Sequence, residues 1–308
     1  MKRALQRILP LVVSIAVLVW LLRGVDLRAV AASVSPRVAF VLVPALVVYG
    51  AVTLWLEATS LASLVHASVG LPRWTAARIK CASYLIAIVN YALGAAALTV
   101  LLRRQTGLPL PRAASLVLLI SMTDLAVVLG FAAVGAAQVA QGAPDFHAGI
   151  VVAALLGLFG GLMLLRTPRS LGPLERIRSL SAFEALRSVP MRDLVRLLAL
   201  RIAFAISFVG ICGAAFVAFG IPVPLPELVA GVLIVALVAA IPIAVAGLGT
   251  SQAAFLYLFK AYAPPETLLA MSLVLSAGML ALRALMGVAF AREYTREALR
   301  ETSEAAQS

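Results

Sequence analysis

Three ionisable residues stand inside long apolar runs: Asp124, Arg201 and Arg283. A charge at the centre of a bilayer costs roughly 2.5–3.5 kcal/mol on insertion scales, so each suggests a function until a structural role is found. Two guanidinium groups at one depth would suit a phosphate or carboxylate, which arginine binds in a bidentate way. The alternative is an Asp124–Arg ion pair that only pins helices together. Helix rise places Asp124 roughly 17 Å along its helix from the inner end, and Arg201 and Arg283 about 10 Å. On that estimate Asp124 pairs with Arg283, and Arg201 carries the positive charge left for a ligand.

A second group of residues interrupts the apolar pattern. Asn90-Tyr91-Ala92-Leu93-Gly94 breaks one hydrophobic segment, and Ala246-Gly247-Leu248-Gly249-Thr250-Ser251-Gln252 breaks another. Broken segments at matching places in two halves point to a transport site within a bilayer. Gly94 and Gly249 should permit positive φ or a close backbone approach. Asn90 and Gln252 carry amides that can satisfy the freed backbone. They can also read a headgroup beside a half-helix starting near Thr250. The candidate substrate-binding set is therefore Asn90, Asp124, Arg201, Gly247, Gly249, Gln252 and Arg283. Glu57 is expected near the inner end of its span with Arg78 or Lys80 as partner, and Lys260 is expected to snorkel outward.

The elements that must position these residues follow from composition. Of 308 residues, 63% are hydrophobic and only 12% charged, with a mean hydropathy of +1.07. A soluble domain carries about twice that charged fraction. The net charge is +12, but the arginines flank apolar runs. This is the positive-inside pattern rather than a nucleic-acid surface. Cys81 and Cys212 lie in apolar segments and read as small core residues. His66 and His147 stand in loops without metal-ligand company. No metal, cofactor or enzyme motif is present, so no catalytic residue is assigned and the chain is not expected to be an enzyme.

Candidate spans are Ile8–Leu22, Val38–Thr59, Ala113–Gln138, Ala148–Leu165, Leu194–Phe219 and Thr267–Phe290, judged against a need for about 20 apolar residues. The first is expected to be retained rather than cleaved as a signal peptide. Seven arginines in Arg166–Arg196 mark a cytoplasmic stretch, while Val139–His147, Gly220–Glu227 and Ala261–Glu266 contain no Lys or Arg and should lie outside. Parity then makes Cys81–Leu102 enter and leave on the inner side and Leu228–Tyr262 on the outer side. Gly249 follows Gly94 by 155 residues, as Pro264 follows Pro109. The expected fold is an all-α polytopic membrane protein: an inverted repeat with two re-entrant helical hairpins. It forms one integral-membrane domain over 1–308, with pseudo-repeats at about 1–147 and 148–300 and a disordered tail at 301–308. An ordinary eight- or nine-helix bundle with glycines at close contacts is the competing arrangement. Pro173–Val189 reads as an interfacial helix, with Leu174, Ile177, Leu180, Phe183 and Leu186 recurring every third residue, or as a solvated linker.

The stretches NYALG, RRQTGLPLPRAASLVLL and TDL, then IPIAVAGLGTSQAAF and LRALMG, resemble the lysylphosphatidylglycerol synthase transmembrane region, or flippase-like domain, family. Asn90, Gly94, Asp124, Gly247, Gly249 and Arg283 match motif positions over a resemblance covering most of the chain. Where the family often has a Glu-Arg pair before the aspartate, Ile120 and Ser121 stand here; where it often has Glu after the second glycine motif, Gln252 stands here. Where the first break often carries a proline followed by an acidic residue, this chain has Ala and Leu. The resemblance implies a lipid translocase fold. It does not imply the synthase activity, which belongs to a separate soluble domain. The expected function is a lipid flippase or transporter moving an anionic or glycosylated headgroup across a bacterial-type inner membrane, with both termini cytoplasmic. Its expected partners are membrane lipids, with lipid or glycan synthesis enzymes as further candidates and no nucleic acid. Alternatives are a secondary transporter of a small organic anion and a non-transporting partner of such synthesis enzymes.

Overall fold

The computed structural model describes residues 35–66, 69–89, 91–139, 166, 180, 183–240 and 249–305. The described elements are all helices: α1 (Pro36–His66), α2 (Arg73–Val89), α3 (Tyr91–Thr106), α4 (Leu110–Val139), α5 (Glu184–Ser188), α6 (Met191–Ala218), α7 (Leu225–Ala240), α8 (Thr250–Phe259) and α9 (Pro265–Ala305). Apolar chain in a bilayer must satisfy its backbone internally, and a helix does so within one segment. Among the described residues, four stretches are long and apolar enough to cross a membrane: Pro36–Val65, Leu110–Phe131, Met191–Ala218 and Pro265–Phe290. These extend the expected spans starting at Val38, Ala113, Leu194 and Thr267 by two or three residues at their starts. The expected spans Ile8–Leu22 and Ala148–Leu165 lie outside the described residues, as does the loop Val139–His147 beyond its first residue.

Each region expected to form a hairpin, Cys81–Leu102 and Leu228–Tyr262, holds parts of two helices. The first becomes α2 and α3, packed on each other, and the second becomes α7 and α8, likewise packed together. α1 lies against α6. α2 packs on α1 and α9, while α7 packs on α4 and α6; α4 also touches α6, and α9 also touches α1.

This packing divides the apolar interior in two. One core gathers the C-terminal part of α1 (Ala58–Val65), the start of α2, the end of α3, the first turns of α4, and Leu194 and Leu197 of α6. The other gathers the first part of α1 (Val38–Tyr49), the end of α6, and residues of α7, α8 and α9. Between them a small contact of Val127, Ala205 and Leu233 joins α4, α6 and α7. The two long helices α1 and α6 thus run through both cores and share a stretch in between that neither core fills.

Two expectations change here. Of the expected interfacial helix, the described part is Leu180, which is exposed, and 183–189, which docks on protein. Ala185 and Leu186 are buried, the Ala185 N–H donates to Ser115 Oγ at 3.1 Å, and Arg112 bridges to Glu184 at 3.0 Å. Arg166 donates to the carbonyls of Leu186 and Val189. Capping these carbonyls and burying Ala185 and Leu186 outweighs exposing them to lipid. The second change is at the C-terminal end, where α9 runs to Ala305, so helix covers most of the segment expected to be a disordered tail.

Candidate functional site: a polar seam between two apolar cores

Helical spacing builds the seam. Tyr49, Thr53 and Glu57 recur every four residues on α1, and Lys80 and Tyr84 do the same on α2. Residues four apart share one helix face. Glu57 is tied to α2 twice. Lys80 Nζ stands 3.1 Å from its Oε1, and the Tyr84 hydroxyl donates to its Oε2 at 2.5 Å. On the other side, Arg201 of α6 reaches Asp124 of α4, with Nη1 at 3.3 Å from Oδ1 and 3.4 Å from Oδ2. The Arg201 side chain is 2% exposed and that of Asp124 30%. One nitrogen therefore serves both carboxylate oxygens, and Arg201 Nε is buried without a partner. The guanidinium also lies 5.6 Å over the Phe204 ring.

Arg283 completes the group from α9. It borders a cavity of about 30 Å³ with Tyr49, Thr53, Glu57, Tyr84 and Phe204. That volume holds one or two water molecules. Lys80, Arg201 and Arg283 stand against Glu57 and Asp124, leaving one net positive charge. The two carboxylates are taken by Lys80 and Arg201, so the excess sits with Arg283 at the cavity wall.

This reverses the expected pairing. Asp124 pairs with Arg201, not Arg283, and among the described residues no carboxylate pairs with Arg283. Depth along a helix gave both arginines the same standing. What separates them is the neighbour: α4 packs on α6, whereas α9 packs on α1 and α2.

The residues at the second break have a different task. α8 starts at Thr250, as expected. Its N-cap Gly249 adopts φ 93°, a conformation that glycine takes freely and side-chain-bearing residues resist. The Gly249 N–H donates to Gln252 Oε1 at 2.6 Å, and Gln252 Nε2 donates to Ser276 Oγ of α9 at 3.2 Å. Gln252 is fully buried. Its amide caps α8 and fastens it to α9, and neither Gly249 nor Gln252 lines the cavity. At the first break Gly94 works by close approach, since a Cβ there would collide with Ala87. Asn90 and Gly247 lie outside the described residues.

Sequence reasoning named Asp124, Arg201 and Arg283 but not Tyr49, Thr53, Lys80 or Tyr84 as site residues. The signal was available in the four-residue polar spacing on α1 and α2, which a search for breaks in hydropathy passes over. Glu57 takes Lys80 from the two partners offered. Lys260 stands at the exposed end of α8, 5.1 Å over the Tyr257 ring.

A bundle of apolar helices long enough to cross a bilayer, with a charged seam between apolar cores, is a polytopic α-helical membrane protein. The family model for the lysylphosphatidylglycerol synthase TM region matches residues 7–287. The chain belongs to this family, which is consistent with a lipid-related function in the membrane. No curated protein and no solved structure matches it.

Proposed function

We propose that the protein is a lipid translocase that moves an anionic headgroup past the seam while the acyl chains stay in lipid. The carrying observation is Arg283. It is a cation at the wall of a small cavity with polar lining residues, in a layer where Glu57 and Asp124 are already engaged by Lys80 and Arg201. An anionic phosphate would neutralise the excess charge, and the cavity's present size corresponds to a closed state that must widen to admit it.

An inverted repeat is part of this reading. Met191 starts α6 155 residues after Pro36 starts α1, and Pro265 starts α9 155 residues after Leu110 starts α4. The same offset relates Gly94 to Gly249. The partners also exchange: α2 packs on α9 as α7 packs on α4. Leu71 and Leu108, at the two ends of the α2–α3 pair, belong to one apolar core, which supports entry and exit on one side. In an inverted repeat the two hairpins would open alternately to the two leaflets, with the arginine-rich end in the cytoplasm.

The test is a leaflet assay in reconstituted vesicles with fluorescent phosphatidylglycerol and, in parallel, a zwitterionic lipid. Wild type should move the anionic lipid and Arg283→Gln should lose that movement while remaining folded. Equal movement by wild type and Arg283→Gln would sink the assignment. Uptake of a small organic anion without lipid movement would replace it with the secondary-transporter reading.

A further inference from the structure

A second polar space lies towards the arginine-rich end of the bundle. It measures about 400 Å³ and is lined by Thr59 and Ser63 of α1, Arg73 of α2, and Arg192, Asp193 and Arg196 of α6. That volume falls within the range of small-molecule sites, about 300–1,000 Å³. Four features give it one chemistry.

Charge comes first. Three arginines face one aspartate, and Asp193 is only loosely engaged, at 3.9 Å from Arg192 Nε. Among the described residues no carboxylate pairs with Arg73 or Arg196. Next are the helix ends. Arg73 begins α2 and Met191 begins α6, so two helix N-termini border one space, each carrying partial positive charge and N–H groups not used within the helix. Third is capping. Pro72 and Pro190 accept the first turns' N–H bonds and no side chain caps α6. Proline offers no side-chain acceptor; the Asp193 N–H is taken by the Pro190 carbonyl, which leaves the N–H groups of Met191 and Arg192 without a capping side chain. Last is Thr59. It is 4% exposed, lines the space, and its buried hydroxyl has no partner. A buried hydroxyl without a bond is an exception that calls for an explanation.

We propose that Arg73, Arg192, Arg196 and Thr59, with the N-termini of α2 and α6, form a binding site for a phosphate group. Guanidinium forks and helix N-termini both favour a tetrahedral oxyanion. The same chemistry serves a phospholipid headgroup and a soluble phosphate ester. The site also has a place in the bundle. Arg73 precedes Lys80 by two helical turns on α2, and Arg192 precedes Arg201 by two and a half on α6, which puts the seam roughly 10–14 Å deeper. Under the lipid-translocation reading, and resting on it, the pocket is the station where a headgroup is held before it reaches Arg283.

The experiment measures binding, not transport, so its outcome is independent of the leaflet assay. Purified protein in nanodiscs of phosphatidylcholine is titrated with short-chain phosphatidylglycerol and, separately, with inorganic phosphate and glycerol phosphate, and bound ligand is counted by native mass spectrometry. Arg73→Gln with Arg196→Gln should weaken binding about tenfold or more, the loss of two charge-assisted contacts. Arg103→Gln with Arg104→Gln, which removes the same charge from the end of α3, should not. Thr59→Val should weaken binding while leaving the ligand-free protein as stable as wild type, because the hydroxyl it removes has no partner in the protein. Competition by glycerol phosphate identifies a soluble ester as the occupant, and retention of lipid against it identifies a headgroup. Unchanged binding in the Arg73/Arg196 variant, or an equal loss in the Arg103/Arg104 control, would overturn the site.

Discussion

Replacing Asp124 with Asn tests the seam most directly. Arg201 is 2% exposed, and its contact to Asp124 runs through Nη1 alone. Its Nε already lacks a partner, and among the described residues Asp124 is the one carboxylate that bridges it. Breaking a buried pair by removing one partner costs about 3–5 kcal/mol. The long 3.3 Å contact and the 30% exposure of Asp124 put this case at the lower end, about 3 kcal/mol. In a chain of this size that corresponds to a fall in melting temperature of about 5 °C, measurable by tryptophan fluorescence in detergent. Arg201→Gln should cost less, because a stranded carboxyl can take up a proton while a guanidinium stays charged. The double variant Asp124→Leu with Arg201→Met removes both charges and should lie within about 1 kcal/mol of wild type. The three variants form a cycle whose coupling isolates the pair. Single effects that simply add in the double variant, or an Asp124→Asn protein as stable as wild type, would refute the reasoning.

Other outcomes follow from the breaks and the orientation. Gly249→Val should impair folding, because φ 93° is strained for a branched residue, whereas Gly210→Ala, with open space around it, should be neutral by thermal melting. Gly231→Ala should be costly although Gly231 is a regular helix position of α7, because a Cβ there would collide with Phe259. Gln252→Leu strips the Gly249 N–H and Ser276 of their partner and should lower stability by about 1–3 kcal/mol, read from the melting temperature. Cysteines placed at Gly107 and Pro224 should label from opposite sides with a membrane-impermeant reagent; labelling from one side would remove the inverted repeat.

The fold was legible where hydropathy decides it. Val38, Ala113, Leu194 and Thr267 start expected spans within three residues of the helix starts at Pro36, Leu110, Met191 and Pro265. Apolar run length is a one-dimensional property, and so is a glycine that breaks it. The sequence offered positive φ or close approach for both glycines, and the structure assigns the first to Gly249 and the second to Gly94. What was not legible is azimuth. Two residues at one depth on two helices are equivalent in sequence, and only the packing of α4 on α6 assigns Asp124 to Arg201. Gln252 shows the same limit: its type suggested a ligand contact or a backbone cap, and the Ser276 bond across to α9 selects the cap.

The pairing that the structure selects changes where a ligand must act. Had Asp124 held Arg283, the free cation would stand on α6, which lies centrally against α1. Instead the carboxylates hold α1 to α2 through Glu57–Lys80 and α4 to α6 through Asp124–Arg201, while the free cation stands on α9. α9 touches α1 and α2 beside the cavity, and among the described residues no carboxylate pairs with Arg283 to bind it to either. An anion drawn to Arg283 would therefore act on the helix that the ion pairs leave unfastened, and it need break neither pair to do so. On the proposed lipid-translocase reading, that makes α9, with α8 fastened to it through Gln252 and Ser276, the element whose displacement a headgroup would drive. A disulfide locking α9 to α1, between cysteines at Leu46 and Gly278, where the Leu46 side chain rests on Gly278, should on the proposed reading stop lipid movement in the leaflet assay and restore it on reduction. Transport that continues through the locked state would show that α9 does not move.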